Sequence, residues 1–334
     1  MSQPEQAKKK SILSLLIRLA LSFGLLAWVF SKIDMAHTYE VIRGADLGYL
    51  SWAFCVFFLI NVVILFRWYI FVKALDLDAP FWAVVKWFFI GLFCNLFLPS
   101  SVGGDVIKTI GLAKVVKQKP KVFASVVLDR LSGFAGIVVI AAIMFFVGYE
   151  HIPDRSVGGS IVGMTLVSLT ITAVLFSNRI YSFCCALFNR WPVIKENLMS
   201  VHYDIALMKG KVGEGVLNIL LSGFSQVALA YVYFMVAKAL NQDVGFFYFL
   251  IFSPLICVVT ALPSIGGLGV REMGWAYFLA KVGVTQGVAV SISLISFLFM
   301  VIVGLIGGVI YVVTLLDRRV QPHQAKSQSR HKES

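Results

Sequence analysis

Arg271 and Glu272 are adjacent opposite charges in otherwise apolar sequence. They follow directly on the helix-breaking run Leu262-Pro263-Ser264-Ile265-Gly266-Gly267-Leu268-Gly269. An earlier run has the same grammar: Leu98-Pro99-Ser100-Ser101-Val102-Gly103-Gly104-Asp105, with Lys108 three residues on. Glycines let a chain turn sharply and let another group approach its backbone closely. A helix that restarts after such a turn presents free N–H groups and a positive dipole end, which together make an anion site. Arg271 adds a full positive charge and a fork suited to phosphate. A further pair, Asp129 and Arg130, lies near one end of another apolar stretch. Sequence neighbours point to different sides of a helix, so these two are expected to pair elsewhere, with Lys108, Asp105 or Arg271. The chemistry implied is recognition and gating of an anion by Arg271, Glu272, Arg130, Asp129, Asp105 and Lys108. No catalytic set is assigned, and no metal or cofactor is expected. The five histidines lie outside the apolar runs, and Cys55, Cys94, Cys184, Cys185 and Cys257 form no CxxC. No GxxxxGK[ST] nucleotide motif occurs, and nothing points to nucleic acid.

The elements that must hold these residues are membrane helices. Of 334 residues, 59% are hydrophobic and 14% charged, with a mean hydropathy of +0.87. The apolar residues fall in long runs, at 12–30, 48–66, 122–147, 161–176, 216–237 and 288–316. Runs of roughly 17–25 residues are what a helix needs to cross the hydrocarbon. They are apolar all round, without the period-two alternation of a barrel strand. The expected fold is therefore an all-α polytopic membrane protein. Lys8, Lys9 and Lys10 precede the first run. That run is long for a signal peptide and lacks a small-x-small cleavage site, so it is expected to be a retained span after a cytoplasmic tail, 1–11.

Counting charges sets the topology, because Lys and Arg flank the inner ends of spans. Six spans are expected, at about 12–30, 48–66, 122–148, 158–178, 216–238 and 287–316. If 81–98 also crossed, Lys108, Lys114, Lys117, Lys119 and Lys121 would lie outside. A re-entrant hairpin over 81–118, turning at 99–104, keeps them inside. A second hairpin, 246–283, enters from outside, is broken by Pro254 and turns at 263–269. Lys32, Arg43, Arg155, Lys238 and Lys281 then lie outside, and Arg18, Lys86, Arg130 and Arg271 lie in membrane segments. The other twenty of the 29 basic residues lie inside. Both termini are cytoplasmic in this scheme. Hairpins entering from opposite sides, with turns sharing Leu-Pro-Ser and Gly-Gly, indicate an inverted repeat. The turn residues singled out are Pro99, Gly103, Gly104, Pro263, Gly266, Gly267 and Gly269.

The single domain is expected over 12–316. Within it, 179–214 carries apolar stripes that suit two amphipathic helices on the inner surface or against the bundle. The tail 317–334 is basic and reads as disordered. Arg67 and Lys86 read as interfacial residues that extend toward the headgroups. Gly304 and Gly308 form a GxxxG that reads as helix packing.

Taken in order, Arg67-Trp68, Leu98-Pro99 with Gly103-Gly104-Asp105, Asp129-Arg130-Leu131 with Gly133, and Leu262-Pro263 with Gly266-Gly267-Leu268-Gly269-Val270-Arg271-Glu272 resemble a known family. It is the lysylphosphatidylglycerol synthase transmembrane-region family, also called flippase-like or UPF0104 proteins, and the resemblance covers about residues 10–316. It implies a bacterial inner-membrane or archaeal membrane protein. In two-domain members this region moves an aminoacylated phospholipid between leaflets, and a soluble domain makes that lipid. About 18 residues follow the last span here, so lipid aminoacylation is not expected. Asp129-Arg130 fits the family's acidic-Arg pair. Lys108 stands where an arginine is commoner, which keeps the charge but removes the fork.

The leading expectation is translocation of an anionic lipid, a phospholipid or polyprenyl-phosphate-linked intermediate, with its headgroup between the hairpin tips near Arg271, Arg130 and Asp105. The rivals are a membrane glycosyl- or phosphotransferase using Asp34, Glu40 or Asp46, and a non-transporting partner of a lipid-modifying or glycosyltransferase enzyme. The headgroup, direction, energy source and oligomeric state are not legible in the sequence.

Overall fold

The computed structural model describes residues 35–97, 103–116, 118–148, 159, 163, 210–260 and 268–330. Among these it is helical, with no strand. The helices are α1 (Met35–Arg43), α2 (Leu47–Ala74), α3 (Phe81–Phe97), α4 (Gly103–Val116), α5 (Lys119–Gly148), α6 (Val212–Ala239), α7 (Phe246–Val259), α8 (Val270–Ala280) and α9 (Gln286–Arg330). Four of them, α2, α5, α6 and α9, have stretches long and apolar enough to cross a bilayer. The expected spans 12–30 and 158–178, most of the segment 179–214, and Pro99, Pro263, Gly266 and Gly267 lie outside the described residues.

Four of the remaining five helices form two pairs. With 17, 14, 14 and 11 residues, α3, α4, α7 and α8 are about 16–26 Å long, short of the roughly 30 Å hydrocarbon. Each pair is antiparallel. Asn95 meets Gly104, Gly91 meets Lys108 and Trp87 meets Gly111, a register that folds about residue 99. In the second pair Ile256 meets Gly274 and Phe252 stacks on Phe278, which folds about residue 265. Both centres fall between the paired helices, at or next to the Leu-Pro-Ser runs of the sequence. The close approach needs glycine, since a Cβ on Gly104 would overlap the Gly91 carbonyl.

The two halves repeat. α2, α3 and the loop between them recur as α6, α7 and their loop, 165 residues later. Lys73-Ala74-Leu75, Asp78 and Phe81 correspond to Lys238-Ala239-Leu240, Asp243 and Phe246. Even the caps match. Asp76 (φ 53°) and Asn241 (φ 56°) end the long helices in the left-handed region. Leu77 N–H donates to Val72 O at 3.1 Å, and Gln242 N–H to Ala237 O at 3.0 Å, the Schellman pattern in both halves. After the turns the offset becomes 167, which pairs α4 with α8 and Asp105 with Glu272.

The halves are inverted. At one end of the α2–α6 pair, Asp46 N–H donates to Ala239 O at 2.9 Å; at the other, Lys211 Nζ donates to Ala74 O at 2.5 Å. These contacts exchange under the 165-residue shift, so α2 and α6 lie antiparallel about a pseudo-two-fold axis perpendicular to them. The packing obeys the same axis. α3 lies on α9 as α7 lies on α5, α2 on α5 as α6 on α9, and α4 on α5 as α8 on α9. Trp68 and Trp275, both fully buried, sit in the cores of the two halves.

Two expectations change. α7 is continuous through Pro254; a proline removes one i−4 bond, and packing against α5 and α6 holds the helix through the gap. Second, Arg67 is not at an interface; its setting is given below.

Candidate functional site

In the second half, the turn delivers α8 with Gly269 as its N-cap at φ 86°, a conformation that suits glycine. Glu272, in the first turn, reaches back so that Oε2 accepts from Gly269 N–H at 2.6 Å. Glycine has no side chain to return the bond, so only the acidic half of a capping box forms. The other oxygen, Oε1, takes Arg271 Nη2 at 2.7 Å and the hydroxyl of Ser293 on α9 at 2.9 Å. Ser293 Oγ in turn accepts from Arg271 Nε at 2.8 Å. The Arg271 guanidinium lies over the Phe297 ring, 5.1 Å from its centroid. Glu272 is fully buried and Arg271 nearly so. The result is a buried triad of carboxylate, guanidinium and hydroxyl at a helix N-terminus.

In the first half, α4 restarts with Gly104 N–H donating to Asn95 Oδ1 of α3 at 2.7 Å. Asp105 is buried and holds two cations: Lys108 Nζ at 2.9 Å on one oxygen, and Arg130 Nε of α5 at 2.5 Å on the other. Lys108 sits against the Trp68 and Phe88 rings, at 5.0 and 5.6 Å. Trp68 is fixed in turn by Nε1 donating to Ser125 Oγ at 3.1 Å. Arg130 is the open member of the set, its side chain 47% exposed against 8% for Asp105. Intramembrane charges cost several kcal/mol unless paired, and here each is.

Arg67 completes this cluster and corrects its reading as an interfacial residue. It is buried; Nη2 lies 3.1 Å from Asp129 Oδ1 and donates to Asp129 O at 2.8 Å and Ser132 Oγ at 3.0 Å. Burial leaves the guanidinium little exposure to solvent, and it takes the Asp129 carboxylate. Lys86 is half-buried, over the Trp87 ring at 5.8 Å. The two clusters are counterparts. Asp105 and Glu272 are equivalent, and the position of Arg130 corresponds to Phe297. Each carboxylate thus receives a cation, from the long helix in one half and from the half-helix in the other.

The sequence model of the family described as Lysylphosphatidylglycerol synthase TM region matches residues 15–308. The chain belongs to this family. The chain is also 23% identical over 333 residues to the UPF0104 membrane protein PH1989 of Pyrococcus horikoshii, covering 90% of this chain and 96% of that one. No solved structure matches the chain.

Within this member of the lysylphosphatidylglycerol synthase transmembrane-region family, the expected residues fall into two groups. Asp105, Lys108, Asp129 and Arg130 come together with Arg67; Arg271 and Glu272 come together with Ser293. The two groups do not share one site. α9 spaces them: Leu96, beside the first turn, packs on Gly304, and Arg271 bonds Ser293, about 16 Å away along the helix. Sequence reasoning placed Arg67 at the interface and passed over Ser293. A self-comparison at an offset of 165 would have exposed the repeat, and with it the equivalence of Asp105 and Glu272. Gly304 and Gly308 do serve packing: Leu96 and Phe93 fill the space a side chain would take.

Proposed function

We propose that this multi-pass membrane protein moves an anionic lipid between leaflets, its headgroup passing between the two ionic clusters. The supporting observation is the inverted pair of half-helices, each holding a buried first-turn carboxylate on a cation. Broken helices in corresponding places of two inverted halves are where transporters bind their substrates. In the state described, Asp105 and Glu272 occupy the cations. A lipid phosphate of the same charge exchanges for them, Arg130 being the more accessible cation and Arg271 the buried one. Lys108 is a point charge held against two rings, so the bidentate contact falls to the arginines.

The end of the bundle carrying Lys73, Lys114, Lys119, Lys121 and Lys211 is taken to face the cytoplasm, with the protein in the inner membrane. No nucleotide site is invoked, and a gradient or downhill flow drives the movement. The rival phosphotransferase reading would use Asp34, Glu40 or Asp46; of these, Asp46 is engaged as the cap of α2, accepting from Gly48 and Tyr49 N–H. The test is genetic. In cells lacking the protein, the leaflet distribution of anionic lipids is measured after re-expression. Wild type restores it and Arg271→Ala does not; equal restoration by both would remove Arg271 from the site.

A further inference from the structure

α6 carries four buried polar residues, Asn218, Ser222, Ser225 and Gln226. Their spacing, i, i+4, i+7 and i+8, places them on one face. This stripe begins and ends at the ionic clusters. At its lower end, the register that pairs 46 with 239 and 74 with 211 sets Asn218 opposite Arg67. α5 runs alongside α6 in the same direction, with Gly136 against Ser222. That sets Asn218 level with Ser132, the hydroxyl that Arg67 Nη2 bonds. At the upper end Gln226 Nε2 donates to Ser253 Oγ of α7 at 3.2 Å and reaches Cys257 Sγ at 3.7 Å. The neighbouring Ile256 packs on Gly274, one turn from Arg271.

Most of this stripe is satisfied by its own helix: Ser222 donates to Asn218 O and Ser225 to Leu221 O. Two atoms are not. Asn218 is fully buried, yet its Oδ1 accepts no hydrogen bond, and Arg67 Nε donates none. A buried polar atom without a partner is costly. Here an orphan acceptor and an orphan donor occur at the same level between α2 and α6. A hydroxyl is the group that serves both, donating to one and accepting from the other.

We propose that this polar seam is the path between the two clusters, and that the Asn218–Arg67 level binds a hydroxyl of the lipid headgroup. The protein then prefers anionic headgroups that carry a hydroxyl over those that do not. What enters the seam rests on the lipid-translocation reading above.

Phosphatidylglycerol and phosphatidylmethanol share a singly charged phosphodiester and differ in the glycerol hydroxyls, so they make a matched pair of probes. Binding of each to the purified full chain is measured by native mass spectrometry. Wild type retains phosphatidylglycerol about tenfold more strongly, the worth of one such bond. Asn218→Leu brings the ratio to about one and leaves phosphatidylmethanol binding unchanged. Asn218→Ala removes the same oxygen with less bulk and gives the same result should the leucine variant not fold. Equal binding of the two lipids by wild type overturns the proposal. Equal loss of both lipids in the variants also overturns it, assigning the two atoms to a resident water. Failure of the translocation reading registers separately, as no lipid movement by wild type in vesicles while the binding preference stands.

Discussion

Breaking the Arg67–Asp129 pair tests the first cluster where sequence and structure disagree most. An interfacial Arg67 tolerates replacement; a buried, paired Arg67 does not. The separation is 3.1 Å with both side chains 7% exposed, which at an effective dielectric of about 20 corresponds to a Coulomb attraction of ~5 kcal/mol. Much of this is offset by the cost of desolvating the two ions. Removing one partner leaves the other charge buried, so Asp129→Asn and Arg67→Met each destabilise by about 3–4 kcal/mol. In the double variant Arg67→Met/Asp129→Leu no uncompensated charge remains. Its cost falls about 2–3 kcal/mol short of the sum of the two single changes. The assay is reversible unfolding in mixed micelles with increasing sodium dodecyl sulfate, read by tryptophan fluorescence. Lys86→Met, which breaks no ion pair, stays within about 0.5 kcal/mol of wild type. Additive single changes, each below about 1 kcal/mol, would refute the buried pair.

Ser293→Ala removes the hydroxyl that joins Arg271 to Glu272, and it costs about 2 kcal/mol in the same assay because two buried partners lose a bond. Gly307→Ala places a Cβ on the Phe89 carbonyl and destabilises by about 1–3 kcal/mol despite its better helix propensity. Gly215→Ala, with nothing within 4 Å, stabilises α6 by roughly 0.5–1 kcal/mol. Outside the membrane segments, the hydrogen bond and charge of Lys211 hold the Asp76 carboxyl below the usual carboxylate range. A depressed carboxyl contributes stability that is present above its unfolded value, near pH 4, and is lost as pH falls through its lower folded value. Thermal stability at low salt therefore declines over that acid window, slightly, because the pair is exposed; Lys211→Met removes the decline.

The lengths of the apolar runs marked α2, α5, α6 and α9 to within a few residues at most ends, and the Leu-Pro-Ser runs marked where α3 and α7 give way to α4 and α8. That part was legible because a bilayer demands length, and proline and glycine interrupt it. Partners were less legible. Arg130 finding Asp105 was among the pairings the spacing allowed, but Arg67 finding Asp129 depends on which faces of α2 and α5 meet. Helices apolar all round carry no period that says so. Ser293 reads as one more small residue in a packed helix until α8 is laid against it. The tips were expected to share one headgroup site, and the packing on α9 holds their clusters apart instead.

The most direct test of lipid movement between the two clusters is transbilayer exchange in proteoliposomes. Purified protein is reconstituted with a labelled anionic phospholipid, and accessibility of the label in the outer leaflet is followed over time. Wild type exposes inner-leaflet label far faster than protein-free vesicles, while Arg271→Ala and Arg130→Ala reduce the rate by about tenfold or more, each removing a charge-assisted contact. Movement that is equally fast in wild type and both variants would contradict a path that runs through the two clusters.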